Sequence, residues 1–186
     1  KKIHGYILRH CSLFEATTVG NAMVSFYAKC DKLEAAFETF LMISRRDLIS
    51  WNTILVAFAE IGYINNFLNL LDGMLREGMR PDHITILSII QFCVAILRVD
   101  KVKETHGYSI RSGLSVGDCE PTIANTMLDA YAKCGNMTYA FNIFQSLLQK
   151  RNLVTCNSMI SAYVSCGSLD EAYKIFNRMS ETDLTT

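Results

Sequence analysis

Asparagine stands at positions 21, 52, 125 and 157, and each time it opens a similar phrase. The phrases are "NAMVSFYAKC", "NTILVAFAEI", "NTMLDAYAKC" and "NSMISAYVSC". A carboxamide carries a donor and an acceptor in one plane. It can meet the mixed edge of a pyrimidine, and a neighbouring carboxylate can fix which way it points. Asparagine at the start of a helix also suits N-capping, which requires no ligand.

Other chemistry is harder to build from these residues. The seven cysteines (11, 30, 93, 119, 134, 156 and 166) contain no CxxC pair, and their odd number does not suit a disulfide scaffold. Cys30, Cys134 and Cys166 recur at one place in the phrases, which reads as small buried hydrophobes on successive units rather than metal ligands. His4 and His106 belong to a second echo, "HGYILR" and "HGYSIR", and read as structural. No His is followed two residues later by Glu, and no P-C-x-x-C exists, so the zinc-deaminase pattern is absent. Neither a nucleotide-binding glycine loop nor a nucleophile elbow is present. The segment reads as a non-enzyme with no cofactor and no metal, and any deaminase domain is expected beyond it.

The elements that must position the asparagines follow from their spacing. The gap between Asn52 and Asn125 holds one further unit anchored at Leu87, and the intervals become 31, 35, 38 and 32. That is the period of a solenoid. In the first helix of each unit, Met23, Val24 and Tyr27 match Ile54, Leu55 and Phe58. They match again Met127, Leu128 and Tyr131, then Met159, Ile160 and Tyr163. The i, i+1, i+4 stripe is one helical face. Gly62, Gly135 and Gly167 mark the turn as left-handed C-caps, with Asp31 in that place in the first unit. In the second helix, Leu33, Ala36, Phe37, Phe40 and Ile43 match Met137, Ala140, Phe141, Phe144 and Leu147. They match again Leu169, Ala172, Tyr173, Phe176 and Met179. Such a unit cannot bury its faces alone, so stacking is required.

Composition agrees. Half the residues are hydrophobic, with only two prolines and ten glycines, and 18 basic residues balance 18 acidic ones. No global field draws in nucleic acid, so any such binding rests on local contacts. Residues 50–71 hold one formal charge, but Gly62 and Asn65, Asn66 and Asn69 argue against a membrane span.

"LISWNTILVAFAEIGYINNFLNLLDGMLREGMRPD", residues 48–82, resembles a complete 35-residue pentatricopeptide repeat. A tetratricopeptide array would need a 34-residue period and a W-x-x-L-G-x-x-Y phrase, and has neither here. Residues 17–47, 121–152 and 153–183 resemble the short variant of the repeat, and 83–120 the long variant. Residues 1–16 resemble part of a further long repeat, and 184–186 the start of the next. The resemblance implies an all-α, right-handed α-solenoid of helix-turn-helix repeats forming one array over 1–186. The mixture of lengths is similar to the plant class that specifies cytidines for C-to-U editing in mitochondria or plastids.

The resemblance implies single-stranded RNA as partner, one base per repeat, read by the fifth and last residues of each unit. These are Asn21 with Asp47, Asn52 with Asp82, Asn125 with Asn152, and Asn157 with Asp183. Asn with Asp implies uracil, and Asn with Asn a pyrimidine favouring cytosine. The long unit offers Leu87 and is expected to read nothing directly. The second residues, Thr18, Ile49, Thr122 and Val154, are expected to sandwich bases, and Lys29 and Lys133 to touch phosphates. The competing reading is a protein-binding scaffold, with the long repeat docking an editing-cofactor protein. Self-association through uncapped ends is also expected.

Overall fold

The computed structural model describes residues 17–61, 63–114, 121–147 and 152–183, apart from the side chains of 121 and 180–183. All its regular elements are helices, in order α1 (Thr17–Lys29), α2 (Leu33–Leu41), α3 (Leu48–Ile61), α4 (Ile64–Arg76) and α5 (His83–Ala95). They continue with α6 (Val99–Arg111), α7 (Pro121–Lys133), α8 (Met137–Ser146), α9 (Leu153–Ser165) and α10 (Leu169–Asp183). None is long and apolar enough to cross a membrane.

Packing divides the chain into two compact units, residues 1–88 and 89–186, with the division falling inside α5. In the first, α1 packs on α2 and on α3, while α3 packs on α2 and α4. In the second, α7 packs on α6, α8 and α9, and α9 packs on α8 and α10. In the first unit α1 thus lies beside α3, and in the second α7 beside α9, each with the even-numbered helix of its pair folded against it.

The apolar stripes explain this arrangement. Val24, Ile54, Leu55 and Phe58 are buried in the first unit, and Met127, Leu128, Tyr131 and Met159 in the second. Ala36, Ala140 and Ala172 are buried where the even helix meets its partner. Gly20 in α1 serves close approach: a Cβ there would lie 2.6 Å from Ile43 Cγ1.

Turns within the pairs close alike. Lys32 N, Arg98 N, Asn136 N and Ser168 N each donate to the carbonyl five residues back, at 2.8–3.0 Å. Gly135 and Gly167 hold the left-handed position at φ 76° and 78°, and Asp31 holds it at φ 55°. Leu97 takes the same place at φ 52°, a strained choice for a branched residue. Gly62 lies outside the described residues, as do His4, Cys11 and Cys119.

Two expectations need correction. Cys30 and Cys166 are exposed and Cys134 is half-buried, so the recurring cysteine is not a core residue. It follows the last buried position of its helix and faces outward at the turn. In α10, Leu169, Tyr173 and Phe176, which match the apolar positions of the other second helices, are exposed.

Candidate functional site

Two clusters fix two of the helices that carry the asparagines, α3 and α7. Around α3, Trp51 meets Phe40 edge-on at 4.9 Å and donates through Nε1 to Glu77 Oε2 at 3.2 Å. Arg46 lies over the Phe40 ring at 4.8 Å and pairs with Glu77 at 3.1 Å. This joins α2, α3 and the end of α4 beside Asn52. Around α7, His106 Nδ1 lies 3.1 Å from the Tyr131 hydroxyl, and Tyr131 stacks on Tyr139 at 5.1 Å. Burial lowers the His106 pKa and raises that of Tyr131 to about 12, so both stay neutral near pH 7. The cluster is structural.

Asn21, Asn52, Asn125 and Asn157 are each the fifth residue of their helix. They lie in its second turn and are not N-caps, which overturns the capping alternative. At α3, α5 and α9 the cap comes from the residue before the helix. Asp47 Oδ1 accepts from Ser50 N at 2.8 Å, Asp82 Oδ1 from Thr85 N at 2.9 Å, and Asn152 Oδ1 from Thr155 N at 2.9 Å. A short polar side chain one position before a helix meets its first free N–H groups.

The same carboxylates face back to the preceding odd helix. Asn52 Nδ2 donates to Asp82 Oδ1 at 3.0 Å, and Asn21 Nδ2 to Asp47 Oδ1 at 3.3 Å. Burial would raise the pKa of Asp82. Hydrogen bonds from the Thr85 backbone, the Thr85 hydroxyl and the Asn52 amide outweigh it and hold the carboxyl below its usual range. Asp47 is lowered in the same way, against burial, by Ser50 and Asn21. Both are anions at neutral pH.

Asn52 is buried, and its Oδ1 accepts from Thr85 Oγ1 at 2.7 Å. Asn21 is 8 % exposed, and its Oδ1 has no hydrogen-bond partner; the same holds for Asn125 Oδ1. Asn152 is exposed and Asn157 is exposed. The side chain of Asp183 lies outside the described residues.

Asn52 and Asp82 open into a groove of about 440 Å³, within the size range of ligand sites. Its walls include Lys29 from α1, Ile49, Thr53 and Val56 from α3, and Ile84 from α5. Ile49 is 64 % exposed and Ile84 41 %. Thr18, Thr122 and Val154 are exposed on their own helices. Lys29 is exposed on this groove, whereas Lys133 is paired with Asp129 at 2.7 Å. Among the described residues no group of His, Cys, Asp and Glu could hold a metal ion.

Three side chains of the site are not evident in the sequence reading. Ile84 is the second residue of its unit, as Ile49 is, but that unit lacks an asparagine to draw attention to it. Ser50 and Thr85 read as ordinary small polar residues of a first helical turn.

A model of the pentatricopeptide repeat matches residues 21–48, 49–79, 122–152 and 154–183, more than half of the chain. The chain belongs to the pentatricopeptide repeat family. It is 50 % identical over all 186 residues to a putative pentatricopeptide repeat-containing protein of Arabidopsis thaliana, covering 22 % of that protein. It is 36 % identical over 158 residues to a chloroplastic pentatricopeptide repeat-containing protein of the same plant, covering 18 % of it. The chain thus spans about a fifth of the length of these relatives. Among solved structures, the pentatricopeptide repeat protein PPR10 in complex with an 18-nt psaJ RNA element matches with a TM-score of 0.78 and 19 % identity. That match covers 97 % of this chain and 27 % of PPR10. Maize PPR10 matches with a TM-score of 0.53 and 21 % identity, over 90 % of this chain and 29 % of PPR10. The fold of the pentatricopeptide repeat chain described here is therefore the helical-repeat fold of these proteins.

Proposed function

We propose that the chain binds single-stranded RNA, one base per unit, with a bias toward pyrimidines. The observation that carries this is the Asn52–Asp82 pair in its groove. A held amide stands at the groove's polar side, with the exposed aliphatic side chains of Ile49 and Ile84 on its walls. An amide addresses a base edge and aliphatic faces sandwich a base plane, the combination that helical-repeat readers use. Asn21 and Asp47 form the same amide-to-carboxylate bond. By the family's pairing, the units from 17 to 183 read U, U, any base, C or U, then U, along the RNA from 5′ to 3′. PPR10, whose fold is similar, was crystallised with RNA.

The mixed unit lengths support a finer reading, in which the repeats are the recognition part of an organellar C-to-U editing factor. A chloroplastic relative agrees with an organellar location. The test is equilibrium binding of the chain to poly-U and poly-A at matched salt. Preference for poly-U is expected, with modest affinity, because each stacked base contributes only about 1–3 kcal/mol. Equal binding to the two polymers would overturn the reading.

A further inference from the structure

Asn52 differs from Asn21 in one respect. Its amide is held at both ends: Nδ2 donates to Asp82 Oδ1 at 3.0 Å, and Oδ1 accepts from Thr85 Oγ1 at 2.7 Å. The Thr85 hydroxyl is itself fixed. It accepts from Asp82 N at 3.2 Å, and it also lies 2.9 Å from Asp82 Oδ1. Thr85 is fully buried, so water does not compete for these bonds. Reversing the amide would set Oδ1 against the Asp82 carboxylate and forfeit the bond that Oδ1 accepts from the Thr85 hydroxyl. In the preceding unit Ser50 occupies the place of Thr85, and its Oγ donates to Asp47 Oδ1 at 2.8 Å. Asn21 is held only through Nδ2, at 3.3 Å, and its Oδ1 is buried without a partner.

We propose that Thr85, the third residue of the following unit, is a positioning residue that locks the sense of the Asn52 amide and so sharpens its choice between uracil and cytosine. The inference rests on the base-reading role of Asn52. A carboxamide has two amide hydrogens and two carbonyl lone pairs. With one of each engaged, one donor and one acceptor remain, in a fixed order. Uracil presents an N3–H donor beside a carbonyl, whereas cytosine presents an N3 acceptor beside an amino donor. An amide of fixed sense matches one of these orders at a given seat. Asn21 has only the longer bond to Asp47 to fix its sense and no hydroxyl on its Oδ1, so its unit discriminates less between the two pyrimidines.

The experiment measures binding of the chain to single-stranded RNAs that differ only at the base opposite Asn52, with uracil or cytosine there. Wild type, Thr85→Val and Thr85→Ser are compared, and helicity is monitored by circular dichroism. A parallel pair of RNAs varies the base opposite Asn21. One neutral hydrogen bond corresponds to about a three- to tenfold effect. Thr85→Val is expected to lower the uracil-to-cytosine ratio by that factor, to the level seen opposite Asn21. Thr85→Ser, which keeps the hydroxyl, is expected to retain most of the wild-type ratio. If Thr85→Val weakens binding to both RNAs equally and leaves the ratio intact, Thr85 is only a structural residue and the inference is overturned while base reading stands. If wild type itself shows no preference at that base, the reading of Asn52 fails and the inference fails with it.

Discussion

Asn52 and Asp82 are 30 residues apart in the chain and 3.0 Å apart in the fold, amide nitrogen to carboxylate oxygen. The same carboxylate oxygen caps α5 through Thr85 N at 2.9 Å. One atom therefore starts a helix and orients the amide of the preceding unit, so capping and reading are coupled at this position.

Substitution of Asp82 by Ala removes both contacts. Loss of the cap costs about 0.5–2 kcal/mol of stability, and the Asn52 amide loses its charged acceptor. Thermal or urea unfolding should show that loss. Binding to uridine-containing RNA should weaken at the position opposite Asn52 while the position opposite Asn21 keeps its preference. Equal loss of preference at both positions would contradict independent reading by units.

The acid limb of stability follows from the same carboxylates. The folded pKa values of Asp47 and Asp82 lie below their unfolded ones, held down by hydrogen bonds that outweigh burial. Their contribution is fully present above the unfolded pKa of about 4 and is lost as pH falls through the folded values. Between pH 7 and pH 5 these groups should leave the melting temperature unchanged. Below about pH 4 it should fall, and the fall should be shallower in a variant with Asp47→Asn and Asp82→Asn. An acid limb of identical steepness in that variant would assign the effect to other groups.

Salt dependence of RNA binding should be shallow. Formal net charge is zero, Lys29 is exposed on the groove, and Lys133 is compensated by Asp129. For single strands the slope of log affinity against log salt is about −0.7 per phosphate neutralised. A slope corresponding to two to four phosphates is expected from a salt titration. A much steeper slope would place the dominant contacts on a basic surface elsewhere.

Thiol labelling separates the cysteines. Burial pushes the Cys93 thiol up to about 11, more than a bond to Thr105 lowers it, and its sulfur is inaccessible. Cys30 and Cys166 are exposed at helix ends. Iodoacetamide at neutral pH, followed by peptide mass analysis, should modify Cys30 and Cys166 in the native chain and Cys93 only after unfolding. Native labelling of Cys93 at the rate of Cys30 would contradict the packing of α5.

Much of the fold is legible in the sequence because its signals are local and repeated. The stripe of Met127, Leu128 and Tyr131 recurs as Met159, Ile160 and Tyr163, and Gly135 and Gly167 mark their turns with the conformation only glycine adopts freely. Leu97 in the same turn position carries no such local mark, although it takes the left-handed conformation at φ 52°. At the site, the spacing of the asparagines is visible, but their place in the helix is not. A helix that starts four residues before the asparagine converts a cap into a second-turn side chain, and sequence leaves such boundaries loose. Thr85 is hidden for a different reason. Its partners, Asp82 and Asn52, are three and thirty-three residues away, and only folding brings all three polar groups to one point.

Asn52 is the residue on which base reading turns. Thr at position 52 keeps the β-carbon and puts a hydroxyl in place of the amide in the second turn of α3, and helix propensity changes little. It cannot supply the paired donor and acceptor of the amide. The deciding measurement is a binding series over four RNAs that differ only at the base opposite Asn52, with wild type and Asn52→Thr side by side. Wild type should prefer uracil. In the variant, the preference should move toward guanine, the base that the family's pairing implies for Thr with Asp, with helicity nearly unchanged, melting lowered by loss of the amide's bonds to Asp82 and Thr85, and the choice opposite Asn21 retained. An identical order of preference in wild type and variant would contradict the claim.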